Sequence, residues 1–140
     1  MAKQVSVFLE NRAGRLEKVT EVLKENGINI VSLSLADSSD YGLVRMIVDK
    51  PDDAKAVLKN EGLSVMLTDV VCVRVPHKIG SLSDMLKVLS GDNIEYLYAL
   101  VTNVSDAAMV LKVTDISEAS RMLSQAGYHV MTDTETYLVD

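Results

Sequence analysis

A short polar corner near the start of the chain has residue types that suit a small zwitterion. The sequence LENRAGRL, residues 9–16, leads from an alternating segment through Gly14 into a segment with helical spacing. The first backbone N–H groups of a helix attract a carboxylate, and Gly14 has no Cβ to keep a ligand away. The Asn11 side chain both donates and accepts hydrogen bonds, which suits an ammonium group beside a carboxylate. The alternative is that Gly14 only supplies a positive φ angle and Asn11 only caps a turn.

A second corner of the same kind occurs in the other half of the chain, in VPHKIGSL at residues 75–82. There Gly80 takes the place of Gly14, and His77 takes the place of Asn11. The candidate ligand-binding residues of the two corners are Asn11, Arg12, Ala13, Gly14, Arg15 and Leu16, and His77, Ile79, Gly80, Ser81 and Leu82. We expect neither a metal ion nor a cofactor at either corner.

The two corners belong to an internal repeat that covers most of the chain. When Gly14 is aligned with Gly80, apolar and glycine positions of the first half recur at the same offset in the second. One deletion in the second copy, after Asp115, then shortens that offset by one position. The matches include Val5/Val71, Val7/Val73, Gly14/Gly80, Leu16/Leu82, Val22/Val88, Ile28/Ile94, Val44/Val110, Asp49/Asp115, Leu58/Leu123 and Gly62/Gly127. Most of these positions are apolar residues that would form a core or glycines that would form turns. The repeat therefore predicts two copies of one structural unit.

Each copy has the pattern of a β-α-β-β-α-β unit. Segments such as QVSVFLE alternate with period two, whereas GRLEKVTEVLKENG has apolar residues at helical spacing and ends at a glycine. The last strand of the second copy is predicted within YHVMTDTETYLV, residues 128–139. The fold class is therefore α+β, with two ferredoxin-like βαββαβ units in tandem and antiparallel sheets that carry their helices on one face. We expect domain 1 over residues 1–69 and domain 2 over residues 70–140, packed together because no flexible spacer joins them.

Composition restricts the classes of partner. The chain of 140 residues has a net charge of −6 and an isoelectric point near 4.9, so it offers no basic face for nucleic acid. No apolar run approaches the length of a membrane span, and the single cysteine, Cys72, lies in the apolar run VVCVRV. We expect a cytoplasmic protein in which Cys72 is a small buried hydrophobe.

Other proteins with this fold class provide alternatives. An acylphosphatase activity would need an arginine cradle in the first loop, but Gly14 is the only glycine there, and the two histidines, His77 and His129, lie far apart in the sequence without a nucleophile motif. An RNA-recognition module would need aromatic residues on its first and third strands, and LVRMIVD and MVLKVTD have none. A metal chaperone would need a CxxC pair, which the sequence lacks. We therefore predict no catalytic residues and no enzyme activity.

The unit and its corner resemble the ACT domain, a small regulatory module of amino-acid metabolism, and the two copies resemble an ACT pair. LENRAGRL followed by ENGINI is similar to the serine-sensing ACT domain of phosphoglycerate dehydrogenase. The resemblance implies that Asn11 and Asn29 hold the effector. Ala13 and Leu9 stand where that family has a proline and a histidine, and Glu95 takes the place of Asn29 in the second copy.

The resemblance also implies how the protein works. ACT pairs align through their second strands, so the effector would bind at the corners and the seam between domains. We expect a free-standing regulator that binds a free amino acid and acts on an unidentified partner protein. The alternative is a ligand-free pair that serves only for dimerisation or protein interaction. A homodimer is expected if the sheet face away from the helices carries Val44, Met46 and Val48, because that face would be too apolar to remain bare.

Overall fold

The computed structural model describes residues 2–37, 40–102 and 106–137, and among them it contains six strands and five helices. In chain order the elements are β1 (Ala2–Glu10), α1 (Arg15–Glu25), β2 (Ile30–Asp37), β3 (Tyr41–Val48), α2 (Pro51–Asn60), β4 (Ser64–Val75), α3 (Ser81–Val88), β5 (Ile94–Leu100), β6 (Ala107–Val113), α4 (Ile116–Gln125) and α5 (Asp133–Tyr137). None of the helices in this part of the chain is long and apolar enough to cross a membrane.

The chain divides into two compact units, Lys3–Thr68 and Asp69–Asp140, and Ala2 belongs with the second. The division falls inside β4, a strand of 12 residues that ends the first unit and begins the second. The last strand of the first copy and the first strand of the second copy are therefore one continuous strand, with no turn between them. This agrees with the lack of a turn signal in VMLTDVVCVRV.

The first unit has antiparallel strands in the order β2-β3-β1, with β4 beside β1. Val5 and Val7 on β1 lie opposite Met46 and Val44 on β3, and all four side chains are buried. They share one core with the apolar faces of both helices, through Val19, Val22 and Leu23 of α1 and Ala54 and Leu58 of α2. Both helices therefore cover the same face of this sheet, as the repeat predicted.

The second unit repeats this plan with the strand order β4-β6-β5. Its core contains Val71 and Val73 of β4, Leu111 of β6, and residues of α3 and α4 such as Met85 and Leu123. The second strand of each unit also has an irregularity near its start, between Ile30 and Ser32 and between Ile94 and Tyr96. The tandem ferredoxin-like α+β fold is confirmed.

The prediction of a last strand within residues 128–139 is wrong for residues 133–137, which form a helix. Among the described residues of this segment, 129–131 pair with β4, through the hydrogen bonds Arg74 N–H to His129 O (3.0 Å) and Met131 N–H to Cys72 O (2.8 Å), and Val130 makes an isolated bridge to Val73. The chain then turns at Thr132 into α5. Thr132 and Glu135 form a reciprocal capping box, because the Glu135 N–H donates to Thr132 Oγ1 (3.2 Å) and the Thr132 N–H donates to Glu135 Oε1 (3.0 Å).

Helix α5 lies on the sheet face opposite α3 and α4. Cys72 alternates with the core residues Val71 and Val73, so its side chain points to the other face. The thiol of Cys72 hydrogen-bonds the side chain of Thr136 in α5, and both residues are almost fully buried. The expectation that Cys72 is a buried small side chain is confirmed.

The structure also rules out the possibility that Val44, Met46 and Val48 lie on the sheet face away from the helices. All three side chains belong to the helix-covered core of the first unit. The pairing register explains this, since Val44 and Met46 lie opposite Val7 and Val5, which face the helices. The argument for a homodimer from these three residues therefore no longer holds.

Candidate functional site

The first corner is built by the last residues of β1 and the start of α1. Gly14 is the N-cap of α1 with φ 86° and ψ −10°, a left-handed conformation that residues with a Cβ rarely adopt. No side chain hydrogen-bonds the start of the helix as a cap, and the first helical N–H, that of Arg15, donates to Arg12 O at 3.4 Å. A Cβ added at Gly14 would have no atom of the protein within 4 Å, which leaves the approach to this helix end open.

The second corner repeats the backbone of the first in detail. Gly80 caps α3 with φ 84° and ψ −9°, again without a side-chain cap. Three hydrogen bonds of the first corner recur at the matching positions of the second. In the first corner these are Arg12 N–H to Glu10 O (2.9 Å), Arg15 N–H to Arg12 O (3.4 Å) and Lys18 N–H to Gly14 O (3.0 Å). Their equivalents in the second corner, in the same order, are Lys78 N–H to Pro76 O (3.0 Å), Ser81 N–H to Lys78 O (3.2 Å) and Asp84 N–H to Gly80 O (3.0 Å). The two corners are therefore one structural motif.

Side-chain charges distinguish the first corner. Glu10 accepts from Arg12 Nε at 3.0 Å and lies 3.7 Å from Arg15 Nη2, so two guanidinium groups share one carboxylate. All three side chains are more than a third exposed, and such surface ion pairs are weak enough to exchange for another partner. The corner thus carries an excess of positive charge beside the positive end of the α1 dipole.

A pocket of about 130 Å³ adjoins this corner. Its polar lining consists of Glu10, Asn11, Arg12 and Arg15, and its apolar lining of Leu9, Leu16 and Leu35, with Gly42 beside Leu9 and Leu35. A Cβ at Gly42 would lie 3.5 Å from Leu35 Cδ1 and 3.9 Å from Leu9 Cβ, at ordinary contact distance. The pocket can therefore be narrowed by substitution at Gly42 without backbone strain.

The structure does not bring Asn29 to the first corner within this unit. Asn11 donates its N–H to Asp40 O (3.1 Å) just before β3, whereas Asn29 exchanges hydrogen bonds with Asp49 just after β3 (2.9 and 3.1 Å). The length of β3 separates the two asparagines, and its 8 residues span about 26 Å at 3.3 Å per residue. Asn11, Arg12, Ala13, Gly14, Arg15 and Leu16 lie together, and Asn29 lies at the other end of the sheet.

Glu95 is separated from the second corner in the same way. It lies near the start of β5, where Ile94 pairs with Val113, and its carboxylate is 3.3 Å from Lys112 Nζ. The corner itself follows Val75, which pairs with Ala107 at the opposite end of β6. Around Gly80, Ile79 and Leu82 are exposed apolar side chains, and His77 is exposed. The second corner therefore differs from the first in its side chains although not in its backbone.

One polar cluster was missed from the sequence. Glu135 of α5 accepts from Thr132 N–H and His129 Nε2 (2.7 Å) and lies 3.4 Å from Arg74 Nη2. The backbone hydrogen bond from Thr132, followed by the one from the His129 side chain, lowers the pKa of Glu135 to about 2. The signal that could have revealed α5 was TDTE at residues 132–135, which has the threonine and glutamate spacing of a capping box.

Among residues 2–37, 40–102 and 106–137, no group of three or more His, Cys, Asp or Glu side chains is arranged to hold a metal ion.

The structure consists of two ferredoxin-like units in tandem, and each opens with a strand, a glycine corner and a helix whose start has no side-chain cap. The family model for the ACT domain pair matches residues 1–133. The chain belongs to the ACT domain pair family.

Solved structures share the fold of this chain. Protein BT0572 from Bacteroides thetaiotaomicron is 36% identical, with a TM-score of 0.93 over 99% of this chain and 96% of that one. The regulatory subunit of aspartate kinase from Thermus thermophilus is 20% identical, with a TM-score of 0.65 over 89% of this chain and 92% of its own. At that identity, the second comparison shows a shared fold.

Acetolactate synthase small subunits match part of the chain. The Haemophilus influenzae protein is 36% identical over 70 residues, which are 50% of this chain and 43% of that subunit. The isozyme 3 small subunit of Escherichia coli is 36% identical over 73 residues, 52% of this chain and 45% of its own length. The matched region thus spans less than half of these relatives.

Proposed function

We propose that the protein is an amino-acid-responsive regulator that binds a free α-amino acid at the corner around Gly14. The observation that carries this proposal is the uncapped start of α1 beside a pocket with a polar and an apolar side. The polar side suits the charged groups that all α-amino acids share, and the apolar side suits a side chain. Membership of the ACT domain pair family supports the same role.

The carboxylate of the ligand would bind at the start of α1. The first N–H groups of the helix supply hydrogen-bond donors, and the helix dipole favours negative charge there. Arg15 lines the pocket and lies at the long distance of 3.7 Å from Glu10. A ligand carboxylate can replace Glu10 as its partner, since both ends of this surface pair are solvent-exposed.

The ammonium group would bind to the side-chain oxygen of Asn11. An amide oxygen accepts a hydrogen bond from an ammonium without adding a second charge to the site. Asn29 lies too far away within the unit to contribute to the same contact. A contribution from Asn29 to this ligand would have to come from a second copy of the chain.

The regulated protein would be the catalytic subunit of an enzyme of amino-acid metabolism. The relatives named acetolactate synthase small subunit and regulatory subunit of aspartate kinase support this class of partner. The chain would transmit ligand binding to that subunit and would not catalyse a reaction itself. We also propose a homodimer, because β2 is an edge strand of its unit and presents Leu33 and Leu35, which are 40% and 50% exposed.

The test begins with a thermal-shift screen of the intact protein against the twenty common amino acids. A ligand at about 100 times its Kd stabilises the folded state by roughly 2.7 kcal/mol, which gives a clear shift. Calorimetry with the best amino acid then compares the wild type with Asn11→Ala, which we expect to lose about 1.5–3 kcal/mol of binding free energy, as for a hydrogen bond to a charged group.

Two further variants sharpen this test. Gly42→Ala should weaken binding because its methyl group enters the apolar side of the pocket, whereas Asn60→Ala, an exposed asparagine at the end of α2, is the control and should bind normally. Unchanged affinity in both Asn11→Ala and Gly42→Ala would show that the first corner is only structural. If no amino acid stabilises the protein, the ligand-free dimerisation module becomes the better explanation.

A further inference from the structure

A second pocket, of about 290 Å³, lies within the second unit, and Pro76 is the residue of the glycine corner that lines it. It is formed by Arg74 and Pro76 at the end of β4, by Asp106 just before β6, and by the turn after α4 at residues 126–129. Its volume is more than twice that of the pocket beside Gly14. The repeat does not account for it, since the pocket beside Gly14 is lined by no residue of the turn after α2.

The pocket presents a cation and an anion that do not neutralise each other. Arg74 and Asp106 both line it, and no ion pair joins them in the described part of the chain. Arg74 pairs with Ala108 across the sheet, so Asp106, two residues earlier, continues the same face at the diagonal position. The backbone positions of such diagonal neighbours are about 7–8 Å apart. The pocket of about 290 Å³ that both residues line has room for a small molecule.

The guanidinium of Arg74 also has unused hydrogen-bonding capacity. Its Nη2 lies 3.4 Å from Glu135 Oε2, a long distance for a charge-assisted hydrogen bond, and its buried Nε has no partner. Glu135 is meanwhile held more closely by His129 and by the backbone of Thr132. Arg74 is therefore only partly neutralised by the protein.

We propose that this pocket is a second small-molecule site, which takes a ligand with both a carboxylate and an ammonium group, as in free α-amino acids. The carboxylate would pair with Arg74, and the ammonium with the exposed carboxylate of Asp106. Gly127, in the turn after α4, lines the pocket without a side chain. Tyr128 and Pro76 supply apolar surface for the rest of the ligand. This site does not rest on the function proposed for the Gly14 corner.

The proposal makes Glu135 a competitor for Arg74. A ligand carboxylate and the Glu135 carboxylate would share one guanidinium, and Glu135 does not line the pocket. Glu135→Gln removes the competing charge and should leave binding unchanged or tighter. Arg74→Gln removes the charge that holds the ligand and should weaken binding about tenfold or more, as for a lost charged hydrogen bond.

The experiment uses the intact, ¹⁵N-labelled protein and records amide NMR spectra during titration with each of the twenty common amino acids. The amides of Gly127, Tyr128 and His129 should shift and saturate with at least one of them. The carboxamide and the N-acetyl derivative of that amino acid each lack one charge, so each should bind about tenfold or more weakly. Asp106→Asn should weaken binding by a similar factor, whereas Asn11→Ala should leave these shifts unchanged.

Three results would overturn the proposal. One is that none of the amino acids moves the amides of residues 127–129. Another is that the carboxamide or the N-acetyl derivative binds as tightly as the amino acid. The third is that Glu135→Gln weakens binding as much as Arg74→Gln does, because Arg74 would then act only by holding α5. Loss of the shifts at residues 11–16 in Asn11→Ala, with those at 127–129 retained, would separate this site from the Gly14 corner.

Discussion

Gly14 and Gly80 have the same backbone conformation, with φ and ψ of 86° and −10° at one and 84° and −9° at the other. They cap helices at equivalent positions of the two repeats, and the same three backbone hydrogen bonds surround each of them. The side chains of the two corners differ in charge and polarity. The repeat has therefore preserved a backbone shape that exposes a helix start, while the groups around that helix start have diverged.

Substitution of either corner glycine by alanine should destabilise the protein by about 1–2 kcal/mol, the cost of a left-handed conformation for a residue with a Cβ. Gly14→Asn and Gly80→Asn should cost less, because asparagine tolerates this conformation better. Urea unfolding would measure the difference, with Gly91→Ala as the control. Gly91 has no positive φ and no neighbour within 4 Å of an added Cβ, so an equal loss there would contradict the prediction.

Asp115→Ala should lower the free energy of unfolding by about 1 kcal/mol, because Asp115 caps α4 by accepting the N–H of Glu118 at 3.0 Å. Asp115→Asn keeps an oxygen at the same place and should be close to the wild type. Thermal or urea unfolding of both variants gives the comparison. If Asn were as damaging as Ala, the contribution would come from the charge and not from the cap.

The Cys72 thiol should resist labelling in the native protein. Burial raises its pKa to about 12, although the hydrogen bond with Thr136 acts in the opposite direction, so almost no thiolate exists at about pH 8. A thiol reagent should react fully in urea and very slowly without it. Glu135→Ala should accelerate the native reaction, because it removes the side chain that accepts the Thr132 N–H in the capping box and helps to hold α5 over Cys72. Equal native rates in the variant and the wild type would show that α5 does not protect this thiol.

Glu135 should stabilise the protein in a way that depends on pH. Its pKa is lowered in the folded state from an ordinary 4.5 to about 2, so its contribution is complete above about pH 4.5. The contribution is lost as the pH falls from there towards 2, when the folded-state carboxylate is protonated. The difference in urea midpoint between wild type and Glu135→Gln should be constant from about pH 5 to 7 and narrow below. A difference that stays constant down to about pH 3 would be inconsistent with this pKa.

Dimerisation should depend on the edge strand β2. Leu33→Lys and Leu35→Lys place a charge on an exposed apolar edge, so each should shift a dimer towards monomer without unfolding the chain. Light scattering over a wide concentration range measures this, and Met66→Lys is the control at an exposed apolar residue of another strand, β4. A wild-type protein that stays monomeric throughout would remove the homodimer proposal.

The sequence by itself determined the repeat, the α+β class and the corners. Those features rest on local rules: apolar residues recur with period two or 3.6, and a glycine such as Gly14 or Gly80 supplies the positive φ at the start of a helix. The repeat strengthened each inference, because the same pattern had to hold twice. The repeat matches Asp49 with Asp115, but the structure gives them different roles, because Asp115 caps α4 whereas Asp49 accepts the N–H of Asn29.

The tertiary structure decided which residues meet and what the last segment does. Asn11 and Asn29 have suitable chemistry for one ligand, but the length of β3 separates them, and sequence spacing does not reveal a distance through a sheet. The faces of β3 followed from its register with β1, which fixed Val44 and Met46 in the core. The residues after Met131 have apolar and β-branched types compatible with a strand, yet the Thr132–Glu135 capping box and the contact of Thr136 with Cys72 favour a helix there. Local propensity was nearly neutral in that segment, so contacts distant in sequence determined the outcome.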